Sequence, residues 1–372
     1  MERIDSQISN GSVPVQEEDP NLISDLLFLN LQLFMSSPIQ AAAASSGVLT
    51  NVLNMLVQRR LGLNSSVGIG IFALALTDFF VTLVDLAVIV CYIIAKCFMV
   101  DSTVDIYGLG QYILAWFRYP GFFISSWITT AMSAEKCLAV VAPLRVKQIV
   151  TRERTFCIIV LIYVVFLSTV FMIYSSMYME WQIVQVLDSN GTLFERRKYI
   201  VIFTKSSAIL EKIIDISCSF VLSILSHTAL VVCTSVMVYH LNISSLVRLN
   251  KQPSQASQER VLRKYLALSP LTSKERRMVR VVTCLSVTLL ACNIPRYFNI
   301  IIYCVFPQFT TGATENLSWL LWGLNDFFAT INCSSHFVVY WLLNTKFRNI
   351  CNQILTFQCS RFRLHSIKFE TY

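Results

Sequence analysis

The sequence has few charged residues, few histidines and none of the short motifs typical of enzymes. Only 14% of its 372 residues are charged, and four are histidines. It has no glycine-rich phosphate loop, no His-x-x-x-His pair for zinc and no internal repeat of the kind found in transporters. Asp78 and Asp326 are the only candidates for an intramembrane protease pair, and neither stands in a protease motif. We therefore expect no catalytic residues and no catalytic metal.

Apolar residues, by contrast, make up 55% of the chain, and the mean hydropathy is +0.59. A soluble domain of this length cannot bury so much apolar surface. Runs long enough to cross a ~30 Å hydrocarbon layer as helices of about 20 residues recur along the chain. We predict an all-α membrane protein with a bundle of seven transmembrane helices, near 31–58, 67–95, 108–142, 155–179, 206–241, 278–305 and 319–343.

Basic residues are concentrated on one side of the predicted bundle. Twenty of the 30 fall in or beside the three inner loops and in the tail. Under the positive-inside rule, the N-terminus lies outside and the tail lies in the cytoplasm. The net charge of +8 then indicates attraction to anionic membrane lipid and not nucleic-acid binding. Because the first 20 residues are polar and show no cleavable signal peptide, we expect the first helix to act as the insertion signal.

This topology divides the chain into an extracellular tail (1–30), a seven-helix domain (31–343, with a third inner loop at about 243–277) and a cytoplasmic helix and tail (344–372). Glycosylation sequons at Asn10, Asn190 and Asn316 fall outside, whereas those at Asn64 and Asn242 fall inside and should stay unmodified.

The cytoplasmic segment 345–357 has the pattern of a short amphipathic helix. Its apolar residues are predicted to form a membrane-facing stripe of Phe347, Ile350, Ile354 and Leu355. Cys351 or Cys359 would then be placed for palmitoylation.

Six short motifs follow one another in a fixed order along the segments. They are Asn51 in Thr-Asn-Val-Leu, Leu74-Ala-Leu-Thr-Asp78, Glu135-Lys136 with Pro143-Leu144 behind it, Cys292-Asn293-Ile294-Pro295, His336-Phe-Val-Val-Tyr340 and Asn344-Thr-Lys-Phe-Arg348. In this order, and each on its expected helix, they resemble the signature motifs of rhodopsin-like (class A) G-protein-coupled receptors.

Several positions depart from the usual pattern of that family. Lys-Cys stands for Arg-Tyr after Glu135, and the fourth segment has no tryptophan. The family's outer disulfide is missing, because Gln111 stands at the helix-3 position and 180–204 contains no cysteine. A bridge between Cys97 and Cys304 stays open as an alternative. With Ser125-Ser126-Trp127-Ile128-Thr129, the pattern resembles the orphan chemosensory receptors of gastropod molluscs.

The resemblance implies an activation switch at the inner face. Its residues are Glu135, Lys136, Glu275, Asn293, Pro295 and Tyr340. In the family, an acid at the position of Glu275 pairs with the basic residue that ends helix 3, so Lys136 is expected to pair with Glu275 or with its neighbour Glu135. Lysine lacks the planar fork of arginine, and we expect a weaker lock with higher basal activity. The alternative is a Glu275 that is merely solvated.

Asp78 is an acid deep in a hydrocarbon segment, where an uncompensated charge is costly and a functional role is expected. With Ser125 and Asn332 it resembles the family's sodium pocket, and His336 replaces an asparagine that helps to build that pocket. A neutral imidazole would substitute by hydrogen bonding, whereas a protonated one would repel the ion. The alternative is a plain polar network, with Asn51, that lets the helices pack.

The expected ligand pocket carries both signs of charge. Arg118 lies 18 residues before Lys136, about 27 Å along a helix, where aminergic relatives carry an aspartate. Arginine there argues against amine ligands and for a carboxylate, phosphate or sulfate. Arg296, Asp326 and Asp85 are expected at similar depth. Two interpretations stay open: two internal salt bridges around an empty cavity, or a site for a zwitterion with its carboxylate on Arg118 and its amine on Asp326.

Aromatic residues Tyr119, Tyr297 and Trp322 are candidates for the walls of that pocket, and Pro120 is expected to kink the third helix. Opsin chemistry is excluded, since Thr330 stands where the Schiff-base lysine would be.

The resemblance thus implies a multi-pass plasma-membrane receptor, of chemosensory type, for a small anionic or zwitterionic ligand or a short peptide. Its expected partners are a heterotrimeric G protein, membrane lipid and, with the serines of the third inner loop as targets, a receptor kinase and arrestin. A neuropeptide receptor and a non-signalling scavenger of the same fold are the alternatives.

Overall fold

The structure is a computed structural model that describes residues 38–97, 103–187, 193–249, 273–310 and 312–356, with residues 23, 24, 27 and 31 besides. Asn10, Asn190, Cys359 and most of the third inner loop lie outside the described residues. The backbone of Glu275, Cys97 and Cys304 is described, but their side chains are not.

Seven long helices run through the described parts of the chain. They are α1 (Gln40–Leu61), α2 (Ser66–Cys97), α3 (Trp116–Val141), α4 (Arg152–Tyr174), α5 (Ser223–Leu249), α6 (Ser273–Val305) and α7 (Glu315–Leu343). A shorter α8 at 345–356 follows α7, and Pro143–Ile149 forms a further short helix between α3 and α4. The predicted all-α membrane bundle is confirmed in outline.

Four helical stretches are long and apolar enough, by length and composition, to cross a membrane: Ser66–Ala95, Arg152–Tyr174, Ile216–Asn242 and Arg276–Ile302. The helices α1, α3 and α7 complete the same bundle: α1 packs on α2 and α7, and α3 contacts α2, α4, α5 and α6. Their polar residues, which lower the mean hydropathy, are turned inward.

Two long helices begin through π-helical turns. Ile106–Gly110 leads through the π-helical Gln111–Ala115 into α3, and Lys205–Ile214 leads through the π-helical Asp215–Leu222 into α5. Pro120 has no N–H to donate to the preceding turn, and the first π-helical turn ends just ahead of it. The irregularity that the structure shows is this π-helical stretch, and the kink expected at Pro120 stays a prediction.

An antiparallel hairpin covers the outer end of α4, which ends at Tyr174 and not at the predicted residue 179. Strand β1 (Met177–Leu187) pairs with β2 (Leu193–Phe203), with Trp181 opposite Tyr199. The amide of Tyr199 donates to the carbonyl of Thr103 (2.9 Å), and its carbonyl accepts from the amide of Asp105 (3.3 Å). These backbone bonds attach the hairpin to the start of the third helix, the connection that the family makes with its disulfide.

The bundle buries many polar side chains beside its apolar core, and it exposes many apolar side chains on its outer face. Asn51, Asn54, Thr82 and Ser133 are completely buried, whereas Phe171 on α4 is 75% exposed. Other exposed apolar side chains cover the outer faces of α4 and α5 (Leu161, Val164, Ile224, Leu225, Val232). Such a surface is stable against lipid and not against water, which supports the predicted membrane location.

The short helix α8 packs differently from the prediction. Phe347 and Ile354 are buried against the inner end of the bundle, where the ring of Phe347 contacts that of Tyr340, and only Leu355 of the stripe is exposed. Cys351 is also buried, and this burial raises the pKa of its thiol above the ordinary value. Its side chain is therefore not presented for palmitoylation in this conformation.

Candidate functional site

Arg118 joins two acids from different helices. Arg118 lies on α3, and its guanidinium donates to Asp85 of α2 (3.1 Å) and to Asp326 of α7 (2.7 Å). Thr330, one turn below Asp326, donates to the second oxygen of Asp85 (2.7 Å). The Asp85 side chain is 0% exposed and that of Asp326 is 34% exposed. One arginine thus binds both acids, and the group has a formal charge of −1.

This arrangement bears on both interpretations of the pocket. Arg118 and Asp85 do not line the cavity that lies beside them, and Arg118 is already held by two carboxylates, so it is not placed to take the carboxylate of a ligand. The two internal salt bridges of the first interpretation are present, but Arg118 makes both of them, and among the described residues Arg296 makes none. Equal numbers of arginines and acids led to the expectation of two pairs, but the geometry gives one arginine with two acids.

Arg296 lies on α6, with its guanidinium over the ring of Phe123 (4.7 Å to the centroid) and near that of Tyr119 (5.8 Å). Its Nε is buried and has no hydrogen-bond partner, and among the described residues Arg296 forms no ion pair. A guanidinium carries five donors, and burying them without acceptors is costly. Arg296 therefore offers donors to a ligand.

A cavity of about 50 Å³ lies beside Arg296, between α3, α6 and α7. Asn325 lines it, is 7% exposed, and has neither side-chain oxygen nor nitrogen hydrogen-bonded; the side-chain oxygen of Asn332 is also buried without a partner. Other lining residues include Tyr119, Trp322, Asp326, Asn293, Ser125 and Cys333. Unpaired amides and a guanidinium thus share one cavity with an accessible carboxylate.

The aromatic candidates divide between the cavity and the helix contacts. Tyr119 and Trp322 line the cavity as predicted, and the Tyr119 hydroxyl also hydrogen-bonds with that of Ser219. Tyr297 is turned away: its ring packs against His227, and its hydroxyl approaches the carbonyl of Ser223 at 3.5 Å. The position of Tyr297 next to Arg296 suggested a cavity wall, but successive residues of a helix point in different directions.

The polar network around Asp78 is assembled as the sequence suggested. Ser125 donates to one carboxylate oxygen (2.9 Å), and Nδ1 of His336 lies 2.6 Å from the other. Asn51 joins α1 to this region through the carbonyl of Cys333 (3.0 Å). Asn332 lies nearby on α7, although its oxygen makes no hydrogen bond.

At the inner end of α3, Lys136 pairs with Glu135, one of its two predicted partners. Its ammonium lies 2.6 Å from Glu135, and Glu135 also accepts from Ser66 of α2 (2.8 Å). Arg277, two residues beyond Glu275, donates to Thr345 at the start of α8 (2.7 Å). The pairing of Lys136 with Glu275 stays a prediction, because it concerns a side chain outside the description.

The helix-6 and helix-7 motifs lie where the prediction places them along the bundle. Asn293 donates back to the carbonyl of Leu289 (2.8 Å), one turn before Pro295. Tyr340 is buried, and its hydroxyl has no partner among the described residues. A role for these residues in activation stays a prediction.

The sequon at Asn316 is buried at the start of α7. Its side-chain nitrogen, the atom to which a glycan is attached, donates to the carbonyl of Ile23 (2.9 Å). Glycosylation at Asn316 stays a prediction.

Sequence reasoning missed Asn325, Thr330 as a partner of Asp85, Ser66 and Cys333. Each is a small or polar residue without a charge, and its importance depends on which way the helix is rotated. Asn325 had one detectable signal, since it directly precedes Asp326 in an otherwise apolar segment.

A bundle of seven helices with buried polar side chains, a cavity between α3, α6 and α7 and a charged pair at the inner end of α3 agrees with the fold expected of a G-protein-coupled receptor. The chain belongs to the family described as serpentine type 7TM GPCR chemoreceptor Srw, whose pattern matches residues 38–358. No curated protein matches it. The predicted receptor class, its membrane location and its chemosensory type are thereby supported, while the class A and molluscan resemblances stay predictions.

Proposed function

We propose that this chain is a chemosensory receptor of the plasma membrane that binds a small anionic or zwitterionic ligand and activates a heterotrimeric G protein. The observation that carries the proposal is Arg296, a half-buried arginine with no hydrogen bond or ion pair among the described residues, on the wall of an internal cavity. An acidic group on the ligand supplies the acceptors that the guanidinium lacks.

The ligand's two ends are assigned by the charges around the cavity. A carboxylate binds Arg296 and the side-chain nitrogen of Asn325, both of which are unpaired. An amine binds Asp326, the exposed acid of the Arg118 group. The zwitterion predicted from the sequence is thus kept, with Arg296 in place of Arg118 as the residue that holds the carboxylate.

The size of the cavity limits the ligand and requires movement. A volume of about 50 Å³ is enough for a few water molecules, and sites for drug-sized ligands are several times larger. Binding of even a small amino acid therefore has to widen the space between α6 and α7. A ligand that binds the widened cavity more tightly than the resting one favours the widened conformation. This difference in affinity shifts the receptor from its resting conformation to the other.

The inner face carries the groups for coupling. Glu135 and Lys136 end α3, and Arg277 joins α6 to α8 through Thr345. A movement of α6 relative to α7 at the cavity strains this contact at the inner end and opens the space between α3 and α6 to the G protein. Receptor kinase and arrestin remain proposed partners for the third inner loop.

The first experiment is a calcium-response screen of amino acids, short peptides and small carboxylates in cells that express the chain with a promiscuous G protein. For any ligand found, Arg296→Gln should reduce potency at least about 30-fold, since it removes a charge-assisted bidentate contact.

The chain offers a matched control in Arg197, which also stacks on an aromatic ring (5.6 Å from that of Trp181) but lies on the hairpin, away from the cavity. Arg197→Gln should leave potency unchanged. An acidic agonist that is equally potent on the Arg296→Gln receptor at equal surface expression contradicts the proposed site.

A further inference from the structure

Both carboxylate oxygens of Asp78 are engaged by protein side chains. Ser125 donates to one at 2.9 Å, and Nδ1 of His336 approaches the other at 2.6 Å. A carboxylate has about four lone-pair positions, and these two contacts occupy one on each oxygen. Asp78 itself is 0% exposed.

The contact with His336 leaves little room for a metal ion in either tautomer. If Asp78 is ionised, Nδ1–H donates to it; if Asp78 is protonated, its proton is donated to Nδ1. In both cases one proton lies between the two atoms, and a sodium ion placed there is repelled and loses an oxygen ligand. Hard cations take oxygen ligands, and the imidazole supplies none. The residues present therefore do not fit the sodium ion that the sequence suggested.

His336 is also buried in this position. It is 1% exposed, lies on α7 and reaches across to α2. The same acid is tied to α3 by Ser125, and α1 is tied to α7 by the bond from Asn51 to the carbonyl of Cys333. Hydrogen bonds of the protein itself thus join four helices at the depth where an ion was expected.

We propose that the imidazole of His336 takes the place of a bound sodium ion on Asp78, so that this receptor's resting bundle is assembled without sodium. A bound sodium ion would leave and rebind as the salt concentration changes. The imidazole is part of the chain and stays in place at any salt concentration. Removing the imidazole while keeping a short amide should open a cation site among Asp78, Ser125 and Asn332, whose side-chain oxygen is unpaired.

The test is the melting temperature of the purified receptor in sodium chloride and in N-methyl-glucamine chloride at equal ionic strength, which needs no agonist. The unsubstituted receptor should melt at the same temperature in both salts. His336→Asn should melt about 2 °C or more higher in about 150 mM sodium than in the organic salt. The double variant His336→Asn/Asp78→Asn should lose that difference.

Two results would overturn the proposal. One is a sodium-dependent rise in the unsubstituted receptor that disappears in Asp78→Asn, because the ion then binds with His336 in place. The other is a His336→Asn receptor that folds but does not respond to sodium, because the imidazole is then not what excludes the ion. If His336→Asn does not fold, the comparison of salts on the unsubstituted and Asp78→Asn receptors decides the question alone.

Discussion

At the scale of single residues, the stability of the bundle depends on which partner each buried charged side chain contacts. Asp85 is completely buried and relies on Arg118 and Thr330, while Arg118 also holds Asp326. A buried acid without its cation is costly, whereas replacing both partners by apolar groups is often neutral. Arg118 and Asp85 therefore form a structural pair beside the cavity, and Asp326 is the member of the group that lines it.

This view predicts unequal effects of substitution. Arg118→Leu should destabilise the receptor by about 3–5 kcal/mol, since Asp85 is left buried and unpaired. Thr330→Val, which removes one donor to Asp85, should cost about 1 kcal/mol. Thermal melting in detergent, followed by tryptophan fluorescence, measures both.

The double variant Arg118→Leu/Asp85→Leu provides the control. It should recover most of the stability that Arg118→Leu loses, because no buried charge remains without a partner. Equal losses in the single and double variants would instead indicate that Arg118 acts through packing of its stem.

The contacts of individual residues also show the limit of sequence reasoning. Asp78, Ser125 and His336 were predicted to lie together and do so, because three recognisable motifs fix their registers on three helices. The partners of Arg118 and Arg296 were not predictable. Spacing gives the depth of a side chain, but the rotation of α6 and α7 decides which acid each arginine faces, and that rotation depends on packing over the whole bundle.

At the scale of elements, the hairpin is the part that sequence analysis did not find. The fourth predicted helix was extended to residue 179, although an alternating pattern typical of a strand begins at Met177. Asn190-Gly191, between this pattern and the next one, is a strong turn signal. The π-helical starts of α3 and α5 were not visible for a different reason, since a single extra residue in a turn leaves the apolar pattern nearly unchanged. The seven long helices were predictable because lipid imposes a minimum length on each.

The hairpin's attachment can be tested through one amide. The N–H of Tyr199 donates outward to Thr103 and not to β1. Tyr199→Pro should weaken the attachment by about 1 kcal/mol, the usual net contribution of one hydrogen bond. Hydrogen–deuterium exchange in residues 103–110 should then be about fivefold faster. Tyr199→Ala, which keeps the N–H, should leave that exchange close to its original rate.

At the scale of the whole molecule, charge at the inner end decides how readily the bundle opens. Lys136 is paired with its own neighbour Glu135, and Glu135 is shared with Ser66. A lysine held by its own neighbour contributes little to closing the gap between α3 and α6 in this conformation. The weak lock between Lys136 and Glu275 on α6 stays a prediction, which basal activity tests.

We predict that Glu275→Ala raises basal G-protein turnover several-fold in membranes that contain no added ligand. Glu153→Ala supplies the control, because Glu153 is an exposed acid at the start of α4 and faces neither helix. A Glu275→Ala receptor whose basal turnover equals that of the Glu153→Ala receptor would refute the lock.

The hairpin's attachment by main-chain groups has a consequence for how such a receptor diversifies. A covalent cross-link requires two particular side chains, and losing either one breaks it. The bonds at Thr103, Asp105 and Tyr199 are made by peptide groups, which nearly every residue supplies. Most side chains of the outer surface can therefore be substituted without breaking the attachment of the hairpin. This suits a sensor in which the residues that contact the ligand change while the fold stays the same.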